Sequence, residues 1–218
     1  VTLDELRAAI APRGLFFPPD PTETSASIGG MVACNASGAV SFSYGATRRW
    51  VERLRVVLAD GDVLSIRRGE NHARGREFSL TTEGGRTISG RLPGYTQPSV
   101  KSAAGYYAAD DMDLIEAFIG MEGTLGVITE IELRLIARPA AINLVRVLRG
   151  EDVDGLEAPT VRPAAIEFFN QDALNLLRDA KARYPAFEAI PALKPHYHTA
   201  LNIDFHGESD EQLEEAVM

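Results

Sequence analysis

Apolar residues recur at helical spacing in the first ten residues of the chain. Leu3 and Ile10 belong to one apolar helix face, and Thr2 with Glu5 fits an N-terminal capping box. Gly14 can end this helix because glycine readily adopts a left-handed conformation. The pattern therefore predicts a short helix that opens the chain and is closed by a glycine cap.

Strand patterns follow in two later segments. Residues 53–67 form two β-rich runs joined at Asp60-Gly61, a dipeptide that favours a two-residue hairpin turn. Residues 127–136 alternate between apolar and polar positions, with Val127 on the apolar face. The intervening run 69–105 is rich in glycine, arginine and polar residues, which predicts a long loop. Asp111 or Asp113 can then cap a short helix.

The sequence pattern changes after Pro139. Strand-like and helix-like segments alternate from there on, interrupted by the polar stretch 151–159. This alternation is typical of a separate α+β unit. We therefore predict one domain over residues 1–139 and a second over residues 140–218.

Composition and charge exclude several classes of protein. The chain has 218 residues and a net charge of -9, which disfavours nucleic acid as a partner because phosphate backbones require clustered cations. Cys34 is the only cysteine, so no intrachain disulfide can form. No apolar run approaches the roughly 20 residues needed to span a bilayer. We expect a soluble, cytoplasmic protein without a transmembrane segment.

Two segments contain unusually small residues. Residues 28–38 read IGGMVACNASG, a composition that we expect to form neither a good helix nor a well-packed strand, and residues 121–126 read MEGTLG. Glycines let backbone N–H groups approach a ligand closely, and Asn35 offers both a donor and an acceptor. Each segment alone is equally compatible with a simple turn or close packing, since neither is a GxGxxG motif or a phosphate-binding P-loop.

Three blocks in order carry a resemblance to a known family: PPDPTETSASIGGMVACNASG, SYGATRRWVERLRVVLADGDVL and IGMEGTLGVITEIELRL. Together they resemble the FAD-linked oxidases of the vanillyl-alcohol oxidase and p-cresol methylhydroxylase (PCMH) superfamily, in the branch of D-lactate dehydrogenases and glycolate oxidase subunits. The resemblance is strong over residues 18–139 and weaker over 142–218. It implies an α+β fold: the second subdomain of a PCMH-type FAD-binding domain, followed by part of a ferredoxin-like α+β cap or substrate domain.

The resemblance also implies which residues contact FAD. Carried over by matching residue, the candidates are Pro19, Ser25, Ile28, Gly29, Gly30, Asn35, Gly38, Glu122, Gly123, Gly126, Val127 and Ile128. A flat ring system needs backbone donors at its edge and no side chains over its face, which glycine-rich segments provide. The chain departs from the family at Ser37, where glycine is usual, and at Met31, where asparagine is common.

The implied function is oxidation of a D-2-hydroxy acid such as lactate or glycolate, by hydride transfer to flavin, with a separate electron acceptor. Nothing before Leu15 resembles the pyrophosphate loop of these enzymes, and their catalytic histidines lie later in the chain. We therefore expect a fragment that is inactive alone, with catalytic residues unassigned. The alternative is a non-catalytic flavin-fold module or subunit that needs a partner chain. A Rossmann NAD-binding protein is disfavoured because GxGxxG is missing.

Several polar clusters have more than one possible role. His196, His198 and His206 lie close in sequence, and hydrogen-bonded or solvent-facing imidazoles are favoured over a metal site, so no metal is predicted. Arg48 and Arg49, next to Trp50, could cover a flavin or substrate edge, although a solvated surface stacked on the aromatic ring is favoured. The cations of residues 71–107 could reach a substrate carboxylate, although a surface loop is favoured. Within that run, VKSAAGYY resembles a segment near the active site of related enzymes. The resemblance also allows a peripheral position at the inner face of the membrane within a larger complex, and the oligomeric state stays open.

Overall fold

The computed structural model describes residues 1–148, 162–188 and 190–217. The chain divides into two compact units, Val1–Arg138 and Pro139–Met218. The first contains α1 (Leu3–Ile10), β1 (Leu15–Phe16), α2 (Ile28–Ala33), α3 (Ser41–Tyr44), β2 (Val51–Val57), β3 (Val63–Arg67), β4 (Glu77–Thr81), β5 (Thr87–Arg91), β6 (Val127–Leu133) and β7 (Ile136–Ala137). The second contains β8 (Ala140–Leu148), β9 (Pro163–Phe169), α4 (Gln171–Arg183), β10 (Thr199–Gly207) and α5 (Asp210–Val217).

Helix α1 begins as the sequence predicts. The Thr2 hydroxyl accepts the Glu5 N–H at 3.2 Å, and the Glu5 carboxylate accepts the Thr2 N–H at 2.8 Å, which completes the capping box. The chain then makes a short 3-10 turn and reaches Gly14 at φ +66°. On its inner side the helix contributes Leu3 and Ile10 to a small core, so the capped start of the chain is anchored by burial.

The predicted hairpin forms the centre of the first unit. Strands β2 and β3 pair antiparallel, with Val57 opposite Val63, and β6 adds to the other edge of β2. The prediction of a two-residue turn is wrong, because the loop contains three residues, 59–61. Within it, Gly61 has a φ angle of +86°. The carboxylate of Asp60 accepts the N–H of Asp62 at 3.2 Å, a local bond that favours the longer turn.

The residues of β6 that face the core differ from those that the sequence predicts. Val127 is 67% exposed, although its alternation with later apolar residues places it on the buried face. Arg55 of β2 pairs with Glu130, whereas its neighbour Val56 pairs with Ile128, so the register shifts between these pairs. A bulge of this kind reverses the inward and outward order of side chains. Ile128 therefore packs against the core in place of Val127.

The run 69–105 contains a second hairpin, which corrects the predicted loop. Strands β4 and β5 pair antiparallel from Glu77 opposite Arg91 to Thr81 opposite Thr87. The few apolar positions here, of which Leu80 is buried, give too short an alternation to signal a strand. After this hairpin, Asp113 caps a 3-10 helix over Leu114–Phe118, which confirms a short helix at this point.

The described part of the second unit (residues 139–148, 162–188 and 190–217) contains a three-stranded antiparallel sheet and two α-helices. Strand β10 lies in the centre, between β8 and β9, and α4 connects β9 to β10. Asn170 caps α4 by accepting the Ala173 N–H at 2.9 Å, and Leu174 is buried. The predicted α+β class is confirmed by this mixture of sheets and helices. The predicted polar stretch 151–159 lies outside the described residues.

Candidate cofactor site

The segment 28–38 begins with a helix, which corrects the expectation that its small residues form none. The Ser27 hydroxyl caps α2 by accepting the Gly30 N–H at 3.0 Å. The apolar residues of the helix share one buried face: Ile28, Met31 and Val32. Burial of that face outweighs the poor helix propensity of the two glycines, because tertiary packing supplies most helix stability in proteins.

The opposite face of α2 is open and almost without bulk. Together with residues 121–128 it borders a cleft of about 340 Å³. The cleft is lined by Ser27, Gly29, Gly30, Ala33, Met121, Gly123, Gly126, Val127 and Ile128. Both small-residue segments of the sequence therefore meet at one place, although about ninety positions separate them in the chain.

The two walls of this cleft are joined by backbone hydrogen bonds. The Gly120 N–H donates to the Val32 carbonyl at 2.9 Å, and the Glu122 N–H donates to the Ala33 carbonyl at 2.8 Å. Just beyond α2, Asn35 takes a left-handed conformation with φ +47°. The walls thus form one continuous hydrogen-bonded unit.

Gly29 leaves the α2 side of the cleft open. A Cβ atom at Gly29 would meet no other atom within 4 Å, and its backbone is ordinary helix. Glycine inside a helix is less favourable than alanine by about 1 kcal/mol. Neither the packing nor the backbone of the described residues requires glycine here, so the free space in front of it suits the face of a planar cofactor.

Six of the twelve residues carried over from the family line this cleft: Gly29, Gly30, Gly123, Gly126, Val127 and Ile128. The other six lie outside its lining: Pro19, Ser25, Ile28, Asn35, Gly38 and Glu122. The role of all twelve as cofactor contacts stays a prediction. The resemblance missed Ser27, Ala33 and Met121, although the spacing of Gly29 and Ala33 on one helix face offered a signal for Ala33.

Two of the six residues outside the cleft lining, Ile28 and Gly38, have a packing role in the fold. Ile28 is 6% exposed and belongs to the core beneath α2. A Cβ at Gly38 would lie 1.5 Å from the Asp20 carbonyl oxygen, so glycine lets the proline-rich arm cross this position. Met31, one of the departures from the family, is 1% exposed and therefore turns into the core rather than into the cleft.

A partly buried ion cluster of Arg48, Arg68 and Glu116 braces the region behind the cleft. The Arg48 guanidinium donates to a Glu116 carboxylate oxygen at 2.6 Å and to the Ile119 carbonyl at 2.5 Å. Arg68 donates to the other carboxylate oxygen of Glu116 at 2.5 Å, and the Glu116 side chain is only 13% exposed. The Arg48 N–H also donates to the Asn35 side-chain oxygen at 2.9 Å. Arg48 therefore connects the end of one wall to the segment that precedes the other.

The three histidines singled out in the sequence, His196, His198 and His206, lie in the second unit. His196 stacks edge-on against Tyr197 with ring centroids 4.7 Å apart, and it precedes β10 together with His198. Among residues 1–148, 162–188 and 190–217, no group of three or more His, Cys, Asp or Glu side chains could hold a metal ion. Across the same ranges, no helix combines the length and apolar character needed to cross a membrane.

Comparison with known proteins identifies a matching family and several relatives. Residues 1–67 match the family described as FAD binding domain. The chain is 33% identical over 186 residues to glycolate oxidase subunit GlcD of Bacillus subtilis, covering 82% of this chain and 32% of that protein. It is 28% identical over 226 residues to D-lactate dehydrogenase of Anaerostipes hadrus, covering 100% of this chain and 39% of that protein. The chain thus spans roughly a third of these relatives.

A solved structure shares the fold. Alkyldihydroxyacetonephosphate synthase aligns with a TM-score of 0.55 and 17% identity, covering 100% of this chain and 36% of that protein. At this identity the likeness concerns the fold alone. With the family match over residues 1–67 and the two relatives, it confirms the resemblance stated from the sequence. The chain belongs to the FAD-linked oxidase family.

Proposed function

We propose that this chain supplies the FAD-holding wall of an enzyme that oxidises a small D-2-hydroxy acid such as lactate or glycolate. The observation that carries the proposal is the open face of α2 at Gly29, which lies in the cleft and which nothing in the described protein requires to be glycine. The family match and the names of the two relatives support the choice of cofactor and substrate class.

The residues of the cleft have distinct tasks in this proposal. Gly29 and Gly30 leave a flat surface, against which a ring can lie without a side chain in its way. Met121 and Ile128 add apolar contact and exclude water from the same space. When bound, FAD supplies the acceptor for the hydrogen that leaves the hydroxyl-bearing carbon of the substrate as hydride. An electron acceptor then completes the set of partners.

The first test is a visible absorption spectrum of the purified chain after incubation with excess FAD and removal of unbound flavin. We expect shifted flavin bands at near-stoichiometric amount. Gly29→Leu should abolish them, because the leucine side chain enters the space in front of α2. Gly94→Leu is the matched control, since Gly94 also has no atom within 4 Å of a Cβ position but lies outside the cleft.

Two outcomes would contradict the proposal. If Gly29→Leu retains as much FAD as the Gly94→Leu control, the cleft is not the cofactor site. If the unaltered chain stays colourless, the cleft alone does not hold FAD, which contradicts the expected spectrum and favours an enzyme fragment that requires the pyrophosphate loop. The substrate class is tested on the complete enzyme that contains this chain, whose bound flavin D-lactate or glycolate should bleach under anaerobic conditions and L-lactate should not.

A further inference from the structure

A second cleft, of about 280 Å³, lies in the first unit between residues 45–49 and 97–102. Its lining includes Asn35, Arg48, Arg49, Lys101, Ser102 and Tyr107. The chain as a whole has a net charge of -9, yet no Asp or Glu is among the residues that line this cleft. The cleft is therefore a local cationic site on an acidic protein.

The cations around this cleft differ in whether they are already neutralised. Arg48 is paired with Glu116 at 2.6 Å, and its guanidinium also lies 4.7 Å from the centre of the Tyr107 ring. Arg49 and Lys101 make no ion pair with any of the described residues, unlike Arg76 and Arg86 in the same part of the chain. Two positive charges in the cleft are thus left for an external anion.

The second cleft is adjacent in sequence to the first. The first cleft, between α2 and residues 121–128, is called the glycine-walled cleft below. Ala33 lines this cleft, and Asn35 lines the cationic one. Two trans peptide units separate their Cα atoms by at most about 7.6 Å. Asn35 makes the turn between them through its left-handed conformation. A ligand in the cationic cleft would therefore lie beside the segment that borders the cofactor wall.

We propose that this cationic cleft binds the carboxylate of a small 2-hydroxy acid through Arg49 and Lys101. The inference rests on the proposed function, because it names where the acid group of that substrate binds. A guanidinium offers two parallel N–H groups to a carboxylate, and an ammonium adds a second point of attachment. Ser102 presents a hydroxyl in the same cleft, which can donate to an anionic oxygen.

The test is calorimetric titration of the full chain, without flavin, using glycolate, neutral glycolamide and inorganic phosphate at constant ionic strength. Glycolate should bind and glycolamide should not. Arg49→Gln with Lys101→Gln should weaken glycolate binding at least tenfold. The control Arg13→Gln with Arg74→Gln makes the same charge change at exposed positions outside this cleft and should leave the affinity unchanged. Arg49→Lys with Lys101→Arg keeps both charges and should restore binding.

The outcomes separate this inference from the proposed function. Equal affinities in the neutralised variant and the unaltered chain, an equal loss in the control, or tighter binding of phosphate than of glycolate would overturn the carboxylate site. FAD retention is measured on the same samples, and neither Arg49 nor Lys101 lines the glycine-walled cleft. Glycolate binding without FAD retention would contradict only the proposed function, whereas FAD retention with unselective anion binding would overturn only this inference.

Discussion

The two small-residue walls of the glycine-walled cleft contain glycine for different reasons. In the segment 120–128, the glycines have φ values of +89°, +76° and +153°, at Gly120, Gly123 and Gly126. Such conformations are strained for other residues, so this backbone path itself demands glycine. In α2, by contrast, Gly29 has ordinary helical geometry and open space at its Cβ position. One wall needs glycine to fold, and the other tolerates any small residue until a ligand enters.

This difference shows that glycine content alone does not identify a binding surface. Substitution in the segment 120–128 should damage the protein whether or not flavin is present. Substitution at Gly29 should damage only the binding of flavin. Stability and FAD retention, measured on the same variants, therefore test the comparison directly.

The largest effect should come from Glu116, which braces both walls at once. Glu116→Gln leaves Arg48 and Arg68 without their carboxylate partner, and because the three side chains are partly buried, the free energy of unfolding should fall by about 2 to 3 kcal/mol. Denaturant unfolding measures the change. Glu70→Gln is the control, because the Glu70 side chain is 62% exposed and its contact with Arg67 is 3.9 Å long. Equal losses in both variants would show that the cluster does not brace the walls.

The next effect should come from Gly126, within the wall that needs glycine. A Cβ at Gly126 would lie 2.5 Å from the Val57 carbonyl oxygen. Gly126→Ala should therefore lower the free energy of unfolding by about 2 kcal/mol or more, from backbone strain and the clash with β2. Denaturant unfolding alongside Gly94→Ala provides the measurement. Unchanged stability of the Gly126 variant would remove the distinction between the two walls.

A smaller effect of opposite sign should follow from Gly29→Ala, in the wall that does not need glycine. Alanine has the better helix propensity, so the free energy of unfolding should rise by up to about 1 kcal/mol. FAD retention should fall in the same variant, because the added methyl group lies in front of the ring surface. A loss of stability would mean that Gly29 is required by packing after all.

The smallest effect on stability should come from ion pairs on the solvent-exposed face of the β3-β2-β6 sheet, away from both walls. Hydrogen bonds from Arg67 hold the pKa of Glu132 below its ordinary value of 4.5, and those from Arg55 do the same for Glu83. A lowered folded-state pKa contributes stability above the unfolded value that is lost as the pH falls through the folded value. Unfolding free energy should therefore decline below pH 4.5, and less steeply in Glu132→Gln. An identical pH profile would contradict this.

Features that depend on neighbouring residues were predictable from the sequence. The capping box of Thr2 and Glu5 and the hairpin at Asp60-Gly61 both rest on contacts within a few positions. Helix α2 was not predictable in this way, because its glycines oppose it and only burial of its apolar face against distant residues stabilises it. The bulge in β6 likewise arises from the pairing of Val56 with Ile128, which local alternation cannot show.

The residues of the candidate sites likewise divide into those that the sequence predicts and those that it cannot. Resemblance to a family is enough to predict Gly29, Gly30 and Gly126 as cofactor contacts, and these residues line the cleft. The same reasoning could not identify Glu116 as the brace, because Glu116 lies outside the three blocks that carry the resemblance and its partner Arg48 is 68 positions away. Nor could it choose Arg49 and Lys101 among many cations, since the choice depends on which of the others are already paired with carboxylates.

The bond between Arg48 and Glu116 has a consequence for the order of folding. It closes a loop of 68 positions, and the two walls that it braces are about ninety positions apart in the chain. Loop-closure entropy must be overcome before such long-range contacts stabilise anything, which slows their formation. During synthesis on the ribosome, α2 emerges long before residues 120–128. The cleft is therefore completed late, and a cofactor cannot template the early steps of folding.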